Sequence, residues 1–133
     1  MLTIESNTVQ VNHSAQEVFD FLSDLNNLQK LMPEDKIEHW TSTSENCRFG
    51  IKNLATIGMK HKELNSPASI TLESEGKNPF DFTLTIFIRE NNEDVDSYFV
   101  FDGDVNMFMK AMVSGPLKKF FDTLAGNLPK AMD

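Results

Sequence analysis

The last segment of the chain, from about Asn106 to Met132, carries one long amphipathic pattern. Its apolar residues recur every three or four positions, which is the spacing of one helix face. At 1.5 Å per residue, about 26 residues reach about 39 Å, so this helix is longer than a typical strand and must cross a whole sheet. Gly115-Pro116 lies within it, and we expect the proline to bend or divide the helix. The apolar positions are Met109, Met112, Val113, Leu117, Phe120, Leu124, Leu128 and Ala131.

Short alternating segments separated by turn residues fill the region before this helix, which is typical of an antiparallel meander. Asn91-Asn92 with Glu93 and Asp94 predicts a tight polar hairpin. Glycines beside the strands permit bulges and bends, so we expect the sheet to curl. The predicted strands are 36–43, 46–52, 54–64, 68–75, 80–90 and 95–105, and the clearest has Phe80, Phe82, Leu84, Ile86 and Ile88 on one face.

The N-terminal region predicts one strand followed by two short helices. The strand is residues 3–11, where apolar residues lie among polar ones. Ser14 and Glu17 have the spacing of a capping box, which predicts a helix beginning after Ser14. Asp24-Leu25-Asn26-Asn27 interrupts this helix, and Leu28, Leu31 and Met32 predict a second short helix that ends at Pro33.

Length and composition predict one α+β domain covering residues 1–133. A chain of this size can bury a hydrophobic core without the help of disulfides or bound metals. Its single cysteine, Cys47, cannot form an intrachain disulfide. The net charge of −8 opposes binding to nucleic acid or to an anionic membrane, since both attract clustered Lys and Arg. Lys118-Lys119 is the nearest approach to a basic cluster and is interpreted as a solvated helix face. No signal peptide or membrane-spanning stretch is evident, so we expect a cytoplasmic protein.

The segment from Val9 to Asp24 resembles the opening of the START-like and polyketide-cyclase superfamily, also called SRPBCC. In that family a strand with alternating valines leads into a capped helix reading Glu-Val-Phe and then Leu-x-Asp, as Glu17-Val18-Phe19 and Leu22-Ser23-Asp24 do here. Leu28 to Pro33 resembles the next short helix, although Leu31-Met32 replaces an aromatic residue common there. The resemblance implies a helix-grip fold, with a curved antiparallel sheet of about seven strands wrapped around the C-terminal helix.

The same resemblance implies a cavity for a hydrophobic molecule between the sheet and the long helix. Strand alternation places His61 and Glu63 on the face of Met59, where they would orient a ligand at the cavity mouth. The resemblance does not imply a particular reaction, and neither a cofactor nor a catalytic residue is predicted. The expected ligand-binding residues are His61, Glu63, Met59, Phe80, Phe82, Leu84, Phe99, Phe101, Met109, Met112 and Phe120.

Several residues have a plainer interpretation beside the functional one. His61 and Glu63 could act as acid and base, or lie at an exposed strand end in contact with water. With His39 they could bind a metal, but no tight ligand spacing supports a metal site. Cys47 is interpreted as a small buried residue that shares a strand face with Phe49 and Ile51, rather than as a nucleophile. The acidic group from Glu90 to Asp104 is interpreted as a solvated edge.

Three functions remain open from the sequence. The leading one is binding or transport of a small hydrophobic ligand such as a lipid, a polyketide or an aromatic compound. The second is a cyclase- or dehydratase-like enzyme, which needs ionisable groups converging in the cavity. The third is an interaction protein of the chaperone-cofactor kind, which predicts a filled interior and an exposed apolar patch, since eleven Phe residues could fill the core. The sequence does not determine the oligomeric state.

Overall fold

Eight antiparallel strands form one curved sheet in the computed structural model, which describes residues 1–92 and 94–133. Along the sheet the order is β1-β8-β7-β6-β5-β4-β3, and β2 pairs with β8 beside β1. The six predicted strands between residues 36 and 105 are confirmed within two residues, and Glu93 of the predicted hairpin lies outside the described residues. The elements are β1 (Leu2–Glu5), β2 (Val9–Val11), α1 (Ala15–Ser23), a 3₁₀ helix (Leu25–Leu31), β3 (Ile37–Ser42), β4 (Asn46–Ile51), β5 (Ala55–Asn65), β6 (Ser69–Ser74), β7 (Phe82–Asn91), β8 (Asp94–Gly103) and α2 (Met107–Ala131).

The two short helices lie between β2 and β3, as predicted. Ser14 Oγ accepts a hydrogen bond from the Glu17 N–H, and the Glu17 carboxylate accepts one from the Ser14 N–H, each at 3.1 Å. This reciprocal pair is the predicted capping box. The 3₁₀ helix begins earlier than expected, at Leu25, because the Asp24 carboxylate accepts from the Asn26 N–H at 3.0 Å and caps it.

The first strand was predicted as one segment, residues 3–11, and this prediction is wrong. The backbone N–H of Ser6 still donates to the Phe99 carbonyl at 2.8 Å, but Ser6 Oγ accepts from the Phe99 N–H at 2.9 Å. The next N–H, from Asn7, donates to the Asp122 carboxylate of α2 at 2.8 Å. The pairing with β8 therefore shifts by one residue, and both β1 and β2 turn their apolar residues inward.

Helix α2 runs unbroken from residue 107 to residue 131, so Pro116 does not divide it. The proline lies on the exposed face, where water can reach the carbonyl that lost its intrahelical donor. The opposite face buries Val113, Leu117 and Phe120. Asn127 Nδ2 donates to the Leu31 carbonyl at 2.8 Å, which ties the C-terminal half of α2 to the 3₁₀ helix.

Candidate ligand-binding site

Aromatic side chains fill the space between the sheet and α2. They form a continuous series of rings in which successive centroids lie 5.1 to 6.3 Å apart, the range of favourable aromatic pairs. Trp40, on edge strand β3, begins the series. Its members in order are Trp40, Phe49, Phe120, Phe121, Phe101 and Phe82, with Phe80 packed edge-on against the last two.

Two small voids lie within this packing, of about 20 and 30 Å³. Each has room for about one water molecule. The smaller lies between the inner face of the sheet and Leu117, Phe120 and Leu124 of α2, and the larger lies near Pro79 and Met109. Every side chain around both voids is apolar, so neither void offers an ionisable group to a substrate.

An open surface cleft of about 400 Å³ lies beside these voids, at the sheet edge opposite β1. One wall is the turn between β4 and β5, and the facing wall is the middle of α2. Ile51 and Phe120 line both the cleft and the smaller void, and Leu54 lines both the cleft and the larger void. The complete lining is Pro33, Lys36, Ile51, Lys52, Asn53, Leu54, Gly115, Pro116, Lys119, Phe120 and Thr123.

Local backbone geometry fixes the wall formed by the β4–β5 turn. The Leu54 N–H donates to the Ile51 carbonyl at 3.0 Å and closes a turn with Asn53 at a φ of +65°, a conformation that Asn tolerates better than most residues. The Lys52 N–H donates to the Lys36 carbonyl at 2.9 Å, which fixes this turn against the start of β3. Across the cleft, a Cβ added at Gly115 would meet no atom within 4 Å.

The predicted ligand-binding residues fall into two groups. Seven of them surround the small voids, and one of these, Phe120, also lines the cleft. Four residues line neither void nor the cleft: His61, Glu63, Phe99 and Met112. The first group is Met59, Phe80, Phe82, Leu84, Phe101, Met109 and Phe120.

The predicted alternation that placed His61 and Glu63 on one face is wrong, because a β-bulge in β5 separates them. His61 pairs with Leu72, which faces the core, whereas Glu63 pairs with Thr71, which faces outward. His61 Nε2 lies 2.7 Å from the Ser23 carbonyl at the end of α1 and donates to it. His61 and Glu63 therefore lie on opposite faces of the sheet and cannot converge on one substrate as acid and base.

Sequence reasoning missed the cleft walls formed by the turn at residues 51–54 and by Gly115-Pro116. Lys118 and Lys119 were interpreted as one solvated pair, but the helix places their side chains in different surroundings. Lys118 Nζ bonds the Asp122 carboxylate at 2.9 Å, while Lys119 lines the cleft. The signal in the sequence was a glycine on a helix face that also carries Lys119 and Thr123, one and two turns further on.

Cys47, the single cysteine, is buried. Burial raises the pKa of its thiol to about 12, so the group stays protonated at neutral pH. Its predicted place on the inner face with Phe49 and Ile51 is confirmed. Among the described residues, no three His, Cys, Asp or Glu side chains are close enough to hold a metal ion, and His39 lies exposed at a bulge in β3. No helix in the described part of the chain is long and apolar enough to cross a membrane.

Comparison with known proteins relates the chain to others by its fold. No protein-family model and no curated protein sequence matches it. Among solved structures, a Thermus thermophilus protein superposes with a TM-score of 0.77 at 9% identity, covering 98% of this chain and 97% of that one. The Bacillus cereus protein XoxI gives 0.69 at 15%, covering 99% and 96%. A START superfamily protein from Mycobacterium smegmatis gives 0.67 at 12%, covering 96% and 97%. The chain has the START-like fold.

Within this START-like fold, the middle of the long helix packs on aromatic rings that leave little space beneath it. The helix-grip topology is complete, with β1 and β2 both paired to β8 and α2 lying across the inner face of the sheet. A cleft of about 400 Å³ instead lies between one flank of α2 and the end of the β4–β5 hairpin. That cleft is the candidate site.

Proposed function

We propose that this protein is a cytoplasmic binding or carrier protein for a small hydrophobic molecule such as a lipid, a polyketide or an aromatic compound. The observation that supports it best is the cleft of about 400 Å³, which has an apolar floor and shares walls with both interior voids. Ligand sites of small molecules commonly have volumes of about 300–1,000 Å³ and predominantly apolar linings. The START-like fold is compatible with this function.

The ligand's apolar part would lie on Ile51, Leu54 and Phe120. Phe120 separates the cleft from the smaller void, so rotation of this one ring would extend the site inward. Of the residues predicted from sequence, Phe120 is therefore the one that contacts the ligand first. The residues around the voids, from Met59 to Met109, would be reached only by a ligand that displaces the rings.

Native mass spectrometry of the protein purified from cells tests this proposal. A retained apolar compound, identified after extraction, would support the carrier function. A clean apo mass, together with no rise in melting temperature from fatty acids, sterols or aromatic compounds, would contradict it.

Blocking the cleft tests the site itself. In Gly115→Leu the new side chain has open space and would fill the cleft, while the helix gains a better helix former. Gly126→Leu is the matched control, because Gly126 lies on the same helix, also has no neighbour within 4 Å of an added Cβ, and does not line the cleft. We expect Gly115→Leu alone to abolish binding. Equal binding by both variants would place the ligand elsewhere.

An interaction protein of the chaperone-cofactor kind is the second candidate, since one observation favours it. The start of α2 exposes three large apolar side chains, Met107 at 89%, Phe108 at 77% and Met112 at 61%. Phe108 and Met112 are four residues apart and share one helix face. Together with the nearly filled interior, they match what this hypothesis predicted.

A double variant, Phe108→Ser/Met112→Ser, tests that candidate in a cross-linking experiment with cell extract. Leu64→Ser is the control, because Leu64 is an exposed apolar residue on β5, away from the helix. A partner cross-linked to the wild type and to the control but not to the double variant would support the interaction function. Identical cross-linking of all three would contradict it.

A further inference from the structure

Three lysines stand around the cleft, although the chain is acidic overall. Lys36 precedes β3, Lys52 lies in the β4–β5 turn, and Lys119 faces them from α2. The chain has 20 acidic and 12 basic residues, yet no Asp or Glu of the described residues lines this cleft. Three positive charges are therefore gathered at one cleft of a chain that is negative overall.

Among the described residues, the three ammonium groups have no carboxylate partner. None of Lys36, Lys52 and Lys119 forms an ion pair among residues 1–92 and 94–133, whereas Lys118, next in sequence to Lys119, is paired with Asp122. The backbone hydrogen bond from the Lys52 N–H to the Lys36 carbonyl brings two of these like charges onto neighbouring chain segments. Like charges held together repel one another, and a bound anion would relieve that repulsion.

The floor beneath these lysines is apolar, formed mainly by Ile51, Leu54 and Phe120. A free inorganic anion would not use that surface, and a neutral hydrocarbon would not use the lysines. We infer that the ligand is an amphipathic anion, with an apolar chain or ring system on the floor and a carboxylate or phosphate among the three lysines. This inference rests on the proposed ligand-binding function and narrows its ligand class.

Isothermal titration calorimetry with dodecanoate and dodecan-1-ol, both below their aggregation concentrations, tests the inference on the full chain. The two probes have the same hydrocarbon length and differ in charge. We expect dodecanoate to bind about tenfold or more tightly at low salt, and the ratio to shrink at high salt because ions screen exposed charges. Equal affinities would overturn the anion inference and leave the binding function standing. No binding of either would overturn the anion inference, and a clean apo mass in native mass spectrometry beside it would overturn the binding function as well.

Lysine variants identify the groups that hold the anion. Lys52→Gln and Lys119→Gln should each weaken dodecanoate about two- to fivefold and leave dodecan-1-ol unchanged. Lys118→Gln removes the same net charge outside the cleft and is the matched control. Equal weakening by all three variants would show a general charge effect and overturn the assignment to the cleft.

Vesicles distinguish the two sources of such an anion. If the protein removes phosphatidylglycerol from vesicles, detected as a mass increase in native mass spectrometry, the anion is a lipid headgroup. If it binds dodecanoate and leaves vesicles of phosphatidylglycerol and of phosphatidylcholine untouched, the ligand is a free acid. Each result supports an amphipathic anion, whereas removal of phosphatidylcholine as readily as phosphatidylglycerol would contradict it.

Discussion

Truncation of Phe120 to alanine should destabilise the fold and at the same time enlarge the site. The side chain is 8% exposed, and its ring lies 6.3 Å from Phe49 and 5.4 Å from Phe121, measured between centroids. Phe→Ala at such a core position costs about 3–5 kcal/mol. At this chain length the unfolding entropy gives about 3.6 °C per kcal/mol, so the melting temperature should fall by about 11–18 °C. Thermal unfolding followed by the fluorescence of Trp40, the only tryptophan, measures this.

The enlarged site should also bind small apolar probes. Because Phe120 separates the cleft from the void, its truncation joins them, and an engineered apolar cavity of about 150 Å³ is known to bind benzene. We expect benzene or indole to raise the melting temperature of Phe120→Ala. Phe87→Ala is the control, since Phe87 stacks on Tyr98 at 5.1 Å on the outer face and should lose only about 1–2 kcal/mol. Equal losses in both variants, or no response to the probes, would refute the assigned role of Phe120.

Three further predictions concern groups outside the cleft. His61→Ala should lower the free energy of unfolding by about 1–2 kcal/mol, because the carbonyl that ends α1 loses its donor, while Glu63→Ala stays within about 0.5 kcal/mol; urea denaturation measures both. Loss of ligand binding in Glu63→Ala would contradict the outward placement of that residue. Native Cys47 should resist a thiol reagent at pH 8, because burial raises the pKa of its thiol from 9.0 to about 12. The free energy of unfolding should therefore fall as the pH rises from 9.0 to about 12, since only the unfolded chain loses the thiol proton in that range. Rapid labelling of the native protein would contradict this. The pKa of the Glu17 carboxyl is lowered from 4.5 by hydrogen bonds with the Ser14 N–H and hydroxyl, and then by His13. The variant Glu17→Gln should therefore be less stable than the wild type at neutral pH and equally stable in acid, where the carboxyl is protonated. A constant difference from pH 7 to pH 3 in urea denaturation would refute it.

Sequence patterns predicted the fold wherever local chemistry and periodicity agreed. The alternation in Phe82 to Ile88, the Ser14 capping box and the apolar stripe of α2 from Val113 to Leu128 each correspond to the element observed, whereas Met112, predicted on that stripe, is exposed. The first strand was different, because its apolar residues do not alternate regularly. Ile4 is at an even-numbered position, whereas Val9 and Val11 are at odd-numbered positions. An unbroken strand would have turned them to opposite faces, and this conflict in the sequence already indicated a break near Ser6.

The site was harder to predict because it depends on tertiary packing. Whether Phe49, Phe101 and Phe121 surround a cavity or fill it depends on how their rings meet across the interior, which strand alternation does not determine. A single extra residue at the β5 bulge moved Glu63 to the other face of the sheet. Lys36, Lys52 and Lys119 are distant in the sequence and come together only because α2 crosses the end of the β4–β5 hairpin.

Chemical-shift mapping of the ¹⁵N-labelled protein with dodecanoate tests the central claim most directly, namely that the cleft between the β4–β5 turn and α2 binds an apolar ligand. We predict that the largest changes fall on backbone amides of residues 51–54 and 115–123, with smaller changes along the ring series toward Trp40. Changes concentrated at residues 61–63 or at the exposed start of α2, or no changes at saturating ligand, would contradict it.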